Sequence, residues 1–178
     1  MNAMLRPLSA AGLMCCFAAS IAMAQQSTTV DINKITASGV GEKIGIVKVT
    51  EDKKGLMLAV AVSGIAPGPH GFHVHEKGNC GPGTKDGKQA AGLAAGPHFD
   101  PEANKAHKGP HGAGHKGDLP LLKADAKGIN QTVIAPRLKM ADIRGRSLMI
   151  HEGGDNYSDQ PENGGGAGRI ACGTVPRG

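Results

Sequence analysis

The chain has 178 residues, enough for one domain with a sizeable hydrophobic core, and a modest formal net charge of +5. It contains no dense lysine and arginine block interleaved with aromatic residues, which argues against nucleic acid as a partner. The 28 glycines, together with three Phe, one Tyr and no Trp, favour turns and long shaped loops over helices.

The N-terminus has the features of a secretory signal peptide. Arg6 supplies positive charge, residues 8–23 are mostly apolar and small, and an Ala-x-Ala cleavage motif ends at Ala24. The apolar run is too short and too weakly flanked for a membrane span. A retained N-terminal anchor and a lipoprotein modified at Cys15 or Cys16 remain as alternatives.

We therefore predict a signal peptide over residues 1–24 and a mature domain over residues 25–178, located in the periplasm without stable membrane contact. Cleavage leaves two cysteines, Cys80 and Cys172. In an exported chain these allow a single intramolecular disulfide, and two free buried thiols are the alternative.

Short alternating or continuous apolar segments recur along the mature chain with polar turns between them. They predict strands at 28–33, 43–49, 56–62, 73–75, 119–124, 130–134, 147–151 and 169–175. No convincing helix, internal repeat or second domain is evident. Parallel pairing would need long crossovers, so we predict an all-β sandwich or barrel with antiparallel sheets.

Two glycine-rich stretches, 78–117 and 153–168, lack periodicity and predict long loops. A structureless loop as long as the first is uncommon in a compact domain and is usually functional. Such a loop requires something to order it, and a metal and a disulfide would both serve.

Histidines cluster around these loops. His73 and His75 lie two residues apart in a predicted strand, so their side chains share a face on which both can reach one metal ion, while Val74 points the other way. Three imidazoles and one carboxylate follow in the first loop at a spacing that suits Zn²⁺: His98, His107, His115 and Asp118. His151 joins the strand histidines in a second set that also suits copper. Two sets that share a loop predict two metals.

The sequence resembles the copper–zinc superoxide dismutases, especially their exported bacterial branch. Five segments in order, across nearly the whole mature chain, carry the resemblance: 71–76 (GFHVHE), 96–101 (GPHFDP), 112–120 (GAGHKGDLP), 151–159 (HEGGDNYSD) and 169–173 (RIACG). The resemblance implies a Greek-key antiparallel β-barrel of about eight strands with two long functional loops.

The resemblance also implies a ligand set. The copper ligands would be His73, His75, His98 and His151. The zinc ligands would be His98, His107, His115 and Asp118, so that the imidazolate of His98 bridges copper and zinc.

The supporting residues follow from the same resemblance. Asp155 would accept hydrogen bonds from His75 and His107 and fix their orientation. Arg169 would lie beside the copper and, with His98, take part in catalysis. Cys80 and Cys172 would form the family disulfide.

The function implied is dismutation of superoxide, the substrate anion, to oxygen and hydrogen peroxide by a redox-cycling copper bridged through histidine to a structural zinc. The alternatives are a non-catalytic periplasmic copper- or zinc-binding protein of the same fold and a structural β-sandwich. A homodimer and a monomer both remain open. Lys85, Lys88, Lys108 and Lys116 are candidates for steering the anion. We expect a structural hydrogen bond from His70 and a surface position for His111.

Overall fold

The computed structural model describes residues 26–178, so the predicted signal peptide lies outside the described part of the chain. Its strands are β1 (Ser27–Thr36), β2 (Gly39–Asp52), β3 (Gly55–Val62), β4 (Gly68–His70), β5 (Phe72–His75), β6 (Gly83–Lys85), β7 (Lys88–Ala90), β8 (Leu122–Ala124), β9 (Ile129–Ala135), β10 (Ser147–His151) and β11 (Arg169–Thr174). A single helical turn, α1 (Met140–Ile143), precedes β10, and 3₁₀ turns cover Leu93–Ala95 and Glu162–Gly165. Within residues 26–178, none of the helices has the length and apolar character needed to span a membrane.

Seven strands form one antiparallel sheet in the order β5-β10-β11-β1-β2-β3-β9. The chain crosses from one side of this sheet to the other after β3, returns to β9 after β5 and crosses again to β10 after β9, as in Greek-key connections. The predicted all-β antiparallel fold is confirmed. The strand count exceeds about eight because β4, β6, β7 and β8 are three-residue strands outside the main sheet.

The small β4–β8 ladder curls the sheet. β4 lies directly before β5 in the chain, and β8 leads through a tight turn into β9. Antiparallel pairing of β4 with β8 therefore brings the two edges of the seven-stranded sheet together.

The β5-β10-β11 end of the sheet is covered on both faces. Phe72 and Val74 of β5 pack into the main core with Leu148 and Ile150 of β10. The opposite face carries the alternate residues, among them Met149 of β10, which packs with Ile35 and Cys172 in a second cluster. Because side chains alternate along a strand, His73, His75 and His151 lie on this second face.

The two glycine-rich loops cover that face. The first predicted loop, 78–117, contains the β6–β7 hairpin and a 3₁₀ turn, which sequence periodicity did not reveal. It is attached to the open edge of β5 by backbone hydrogen bonds: Val74 donates to Gly117 (2.8 Å), Phe99 donates to Val74 (2.8 Å) and Leu119 donates to Phe72 (3.1 Å). The loop thus supplies the partners that the edge strand lacks.

The predicted disulfide is present. Cys80 and Cys172 are bonded across 92 positions of sequence, with their Cα atoms 5.7 Å apart. The bond fastens the start of the first loop to β11 and encloses most of the domain. On the chain-entropy model, closing a loop of about 100 residues stabilises the folded state by about 4.7 kcal/mol, before any native strain is subtracted.

Candidate metal centre

Neighbouring strands bring the strand histidines together. β10 lies between β5 and β11, with Met149 opposite His73 in the register. His151 ends β10 and lies opposite Arg169, next to a register shift. The extra residue lies on β11, where an irregularity of this kind turns Arg169 away from regular alternation. The strands therefore direct three imidazoles and a guanidinium towards the loops.

One set of donor atoms converges on Asp118, and we call it the aspartate group: His98, His107, His115 and Asp118. The Nδ1 atoms of the three histidines lie 3.2, 3.0 and 3.5 Å from Asp118 Oδ1. The side chains of His107 and Asp118 are completely buried. His73 also has a donor atom within 4.8 Å of those of His98, His107 and Asp118, and its ring stacks on that of His98 with centroids 3.9 Å apart.

A second set adjoins the first, and we call it the four-histidine group: His73, His75, His98 and His151. One nitrogen from each lies within 4.8 Å of the others. The Nε2 atoms of His75 and His151 are 3.4 Å apart. All four residues are buried. His98 belongs to both groups, because its Nδ1 faces Asp118 and its Nε2 remains for the other side.

The donor atoms fit a pair of metal ions. In a tetrahedral zinc site with bonds of about 2.0–2.1 Å, donor atoms are separated by about 3.3 Å, which matches the spacing in the aspartate group. Three buried nitrogens that converge on the aspartate group or the four-histidine group have no hydrogen-bond partner in the described part of the chain: Nδ1 of His73, His107 and His115. Such groups are costly to bury alone, and a metal ion satisfies them. The imidazole-rich group suits copper.

Burial and mutual repulsion keep the four-histidine group neutral. Burial, followed by the charge of His98, lowers the pKa of His73 and of His75 well below the ordinary value. Burial, His98 and Arg169 lower the pKa of His151 to about 3. Neutral imidazoles are ready to bind a cation, because a metal ligand must give up its proton.

The aspartate group carries the opposite electrostatic bias. Burial alone would raise the pKa of Asp118, but the imidazoles of His107, His115 and His98 hold it far below its usual range. Burial opposes protonation of His107, yet the carboxylates of Asp118 and Asp155 raise its pKa to about 9. Asp118 therefore stays ionised, whereas His107 holds an extra proton that a bound cation would have to displace.

Asp155 joins the two groups, but the predicted partner was wrong. Its Oδ2 accepts a hydrogen bond from Nε2 of His73 at 2.7 Å, and its Oδ1 accepts one from Nε2 of His107 at 2.8 Å. His75 instead directs Nδ1 at the Gly96 carbonyl, 2.8 Å away. The reason is register: His73 lies nearer the loop that carries Asp155, and His75 lies at the far end of β5, next to the loop containing Gly96.

Arg169 lines an open cavity of about 350 Å³ together with His98 and His151. Its guanidinium donates to the carbonyls of Gly92 (2.7 Å) and Gly96 (2.9 Å). The Gly96 carbonyl accordingly accepts from both Arg169 and His75. One backbone oxygen thus orients a ligand of the four-histidine group and the cation beside it.

The four lysines that the sequence suggested for steering are in different environments. Lys85 lines the cavity with Arg169, whereas Lys88 is not among the lining residues. Lys116 is paired with Asp142 at 2.8 Å, and Lys108 lies 4.0 Å from Asp159. Lys85 is therefore the one of these four lysines that lines the cavity with His98, His151 and Arg169.

Two histidines outside the groups behave as the sequence suggested. His70 is buried, with Nδ1 2.8 Å from the carbonyl of His151 and Nε2 2.9 Å from the carbonyl of Ala66. It therefore ties the end of β10 to the β3–β4 connection. His111 is exposed.

Gly164 packs closely against Asp155 and His107, a contact that sequence reasoning missed. It has φ +72°, and a Cβ there would overlap Asp155 Oδ1 and lie 2.8 Å from His107 Nε2. The run of three glycines at 164–166 was a signal, but it did not indicate which glycine approaches Asp155.

The fold and the site define an all-β metalloprotein with two adjoining metal sites. The family model for copper/zinc superoxide dismutase (SODC) matches residues 43–175. The superoxide dismutase [Cu-Zn] of Brucella abortus is 51% identical over 153 residues, covering 84% of this chain and 88% of that protein. The solved Brucella abortus enzyme superposes with a TM-score of 0.82 and 51% identity over 84% of this chain and 99% of that one. The solved monomeric copper, zinc superoxide dismutase of Salmonella enterica superposes with a TM-score of 0.75 and 48% identity over 84% of this chain and 99% of that one.

The chain belongs to the copper/zinc superoxide dismutase family. It is an oxidoreductase that dismutes superoxide, and copper and zinc are its cofactors. The non-catalytic alternative is not favoured, because relatives this similar are superoxide dismutases and the chain has two clusters of His and Asp side chains that could each hold a metal ion.

Proposed function

We propose a division of the histidine cluster into a copper site and a zinc site. The copper ligands are His73, His75, His98 and His151. The zinc ligands are His98, His107, His115 and Asp118. The observation that carries this division is the convergence of three Nδ1 atoms within 3.5 Å of Asp118 Oδ1, which leaves Nε2 of His98 for the four-histidine group.

The protein's own residues bind the substrate and hold a proton. Two superoxide anions and two protons yield one oxygen and one hydrogen peroxide. Copper, when bound, supplies one-electron redox chemistry, while zinc holds its ligands without changing oxidation state. Arg169 binds the anion at the cavity, since a guanidinium forms paired hydrogen bonds with small anions and keeps its charge. His98 holds a proton at Nε2 between the two half-reactions.

The ligand division is tested by measuring metal content and superoxide removal on the same purified samples. His151→Ala should lose copper and turnover while retaining zinc, because His151 lies outside the aspartate group. His115→Ala should lose zinc first. His111→Ala is the matched control and should retain both metals, since His111 is exposed. Equal loss of both metals in His151→Ala would show that the division is wrong.

We further propose that the protein is exported to the periplasm and that residues 1–24 are removed. The Ala-x-Ala motif ending at Ala24 and the disulfide support this, because disulfides persist in oxidising compartments. N-terminal sequencing of the periplasmic protein should give Gln25 as its first residue. A lipid-modified Cys15 or Cys16 at the N-terminus would contradict the proposal and indicate a membrane anchor.

A further inference from the structure

A group of charged side chains outside the metal centre connects the α1 segment to the loop that carries His115. The segment runs from Pro136 to Arg146, between β9 and β10, and contains α1. Its side chains reach the backbone on both sides of His115, although none of them is a metal ligand. We call the contacts formed by Arg137, Lys116 and Asp142 the α1 brace.

Arg137 makes the most direct contact of the brace. Its NH2 group donates to the carbonyl of Gly114 at 2.8 Å, and its NH1 group donates to the carbonyl of His115 at 3.2 Å. The His115 N–H itself donates to the carbonyl of Ala106 at 2.8 Å. The backbone at His115 is therefore held from two sides, by the Ala106 carbonyl and by the guanidinium of Arg137. The N–H donors of that guanidinium lie in a rigid planar fork.

The residue after His115 makes the second contact. Lys116 Nζ lies 2.8 Å from Asp142 Oδ1, and about a fifth of each side chain is exposed (23% and 21%). The other carboxylate oxygen of Asp142 accepts the Lys139 N–H at 2.8 Å. The carboxylate is thus already positioned on α1 when it meets the lysine. A pair with both partners held in place loses less side-chain entropy than a mobile surface pair.

The α1 segment is itself anchored to the barrel. Arg146 donates to the carbonyls of Asp142 and Glu76, both at 2.7 Å. Its guanidinium also lies 3.8 Å from the centre of the Phe99 ring, next to His98 in the chain. The brace therefore connects the loop around His115 to a part of the molecule that is fixed by the core.

We propose that Arg137 and the Lys116–Asp142 pair are positioning residues that hold His115 in its ligand geometry before zinc binds. The inference rests on the proposed role of His115 as a zinc ligand. Fixing the backbone of one residue costs about 1–2 kcal/mol, and residues 99–118 contain no regular strand or helix to offset that cost. Contacts that order the loop in advance raise metal affinity because binding no longer bears the full ordering cost.

The chain offers a matched control in the same segment. Arg144 donates to the Gln26 side chain at 3.4 Å and has no described contact with the loop around His115. Arg137→Met and Arg144→Met remove the same chemical group from two positions of the α1 segment. Arg137→Lys keeps the charge but replaces the two-pronged donor with a single ammonium.

The experiment measures zinc affinity of the purified, disulfide-bonded protein by competition with a chromogenic chelator. Arg137→Met should weaken zinc binding about tenfold, which corresponds to about 1.4 kcal/mol, and Arg137→Lys should recover part of the loss. Hydrogen exchange at residues 106–118 of the metal-free protein should become faster. The absorption spectrum of Co²⁺ bound in place of zinc should change, and copper affinity should stay within about threefold.

A second variant keeps the proposal testable if Arg137→Met folds poorly. Lys116→Met removes a partly exposed side chain and should weaken zinc binding about threefold at low salt, with a smaller effect at high salt. Unchanged zinc affinity in Arg137→Met and Lys116→Met, or an equal loss in Arg144→Met, overturns the brace. If His115→Ala retains zinc at full affinity, the ligand assignment fails instead.

Discussion

At the scale of single residues, Asp155 is the side chain that connects the aspartate group to the four-histidine group. It accepts hydrogen bonds from His73 and His107 and from the Tyr157 backbone N–H at 2.7 Å. These contacts hold Nε2 of each histidine against the carboxylate, which leaves Nδ1 for a metal ion in the proposed sites. His73 and His107 are thereby oriented by one buried carboxylate.

Gly164 closes over this carboxylate and provides a residue-scale prediction. Gly164→Ala should weaken zinc binding about 10- to 100-fold, because the new methyl group would displace Asp155 from His107. Zinc affinity is again measured by chelator competition. Gly87→Ala is the matched control: Gly87 has a similar φ of +74°, but a Cβ added there would meet nothing within 4 Å.

The two glycine variants share the backbone strain of a positive φ and differ in the clash. Both should therefore lose folding stability to the backbone strain, Gly164→Ala the more because of its clash, while zinc affinity falls in Gly164→Ala alone. Equal zinc affinities in the two variants would mean that Asp155 does not need the space that Gly164 leaves.

At the scale of secondary-structure elements, the β6–β7 hairpin brings a cation to the cavity. Lys85 and Lys88 are paired opposite each other across this hairpin. Lys85 lines the cavity with Arg169, and Lys88 is not among its lining residues. The two lysines carry the same charge, but of the pair only Lys85 lines the cavity.

Lys85→Met should lower kcat/KM for superoxide about two- to threefold at low ionic strength, because less positive charge attracts the anion. The difference from the unmodified enzyme should shrink as salt is added, since the Debye length falls to about 8 Å at physiological ionic strength. Lys88→Met is the matched control. An equal decrease in both variants would assign the effect to net charge rather than to the cavity.

At the scale of the whole molecule, the histidines couple folding stability to pH in two opposite ways. Between pH about 3 and about 6.5, the unfolded chain holds a proton on His151 that the folded protein lacks, because the folded pKa is lowered to about 3. Stability therefore falls as pH drops through this window. Burial, as for His151, lowers the pKa of His73 and His75, which adds to the same trend.

His107 acts on the alkaline side. Its folded pKa is raised to about 9, so between pH about 6.5 and 9 the folded protein holds a proton that the unfolded chain has lost. Its stabilising contribution is complete below pH about 6.5 and disappears as pH rises through 9. The metal-free, disulfide-bonded protein should therefore be most stable near pH 6.5 in urea unfolding with a chelator present.

Replacement of His107 by Gln should remove the loss of folding stability on the alkaline side of pH 6.5. The loss of folding stability on the acid side should remain. A stability that rises steadily up to pH 9 in the unmodified metal-free protein would contradict the assignment to His107. Bound zinc should abolish the alkaline slope, because a ligated imidazole carries no proton on its donor nitrogen.

Much of the fold and of the site could be read from local patterns. The two-residue spacing of His73 and His75 placed them on one strand face, and alternation predicted β10 and β11 to within one residue at each end. The β6–β7 hairpin and α1 escaped prediction, because three- and four-residue elements carry too little periodicity to stand out from a loop.

Sequence alone determined the chemistry of this protein: the kinds of donor side chain, their grouping around two loops and the pairing of Cys80 with Cys172. Those properties depend on residue identity and short spacing. The tertiary structure decided that Asp155 binds His73 rather than His75, that Lys85 faces the cavity while Lys116 pairs with Asp142, and that Arg137 holds the backbone at His115. These contacts join residues 22 to 82 positions apart, and a side chain's choice among such partners depends on how the loops pack over the outer face of the sheet.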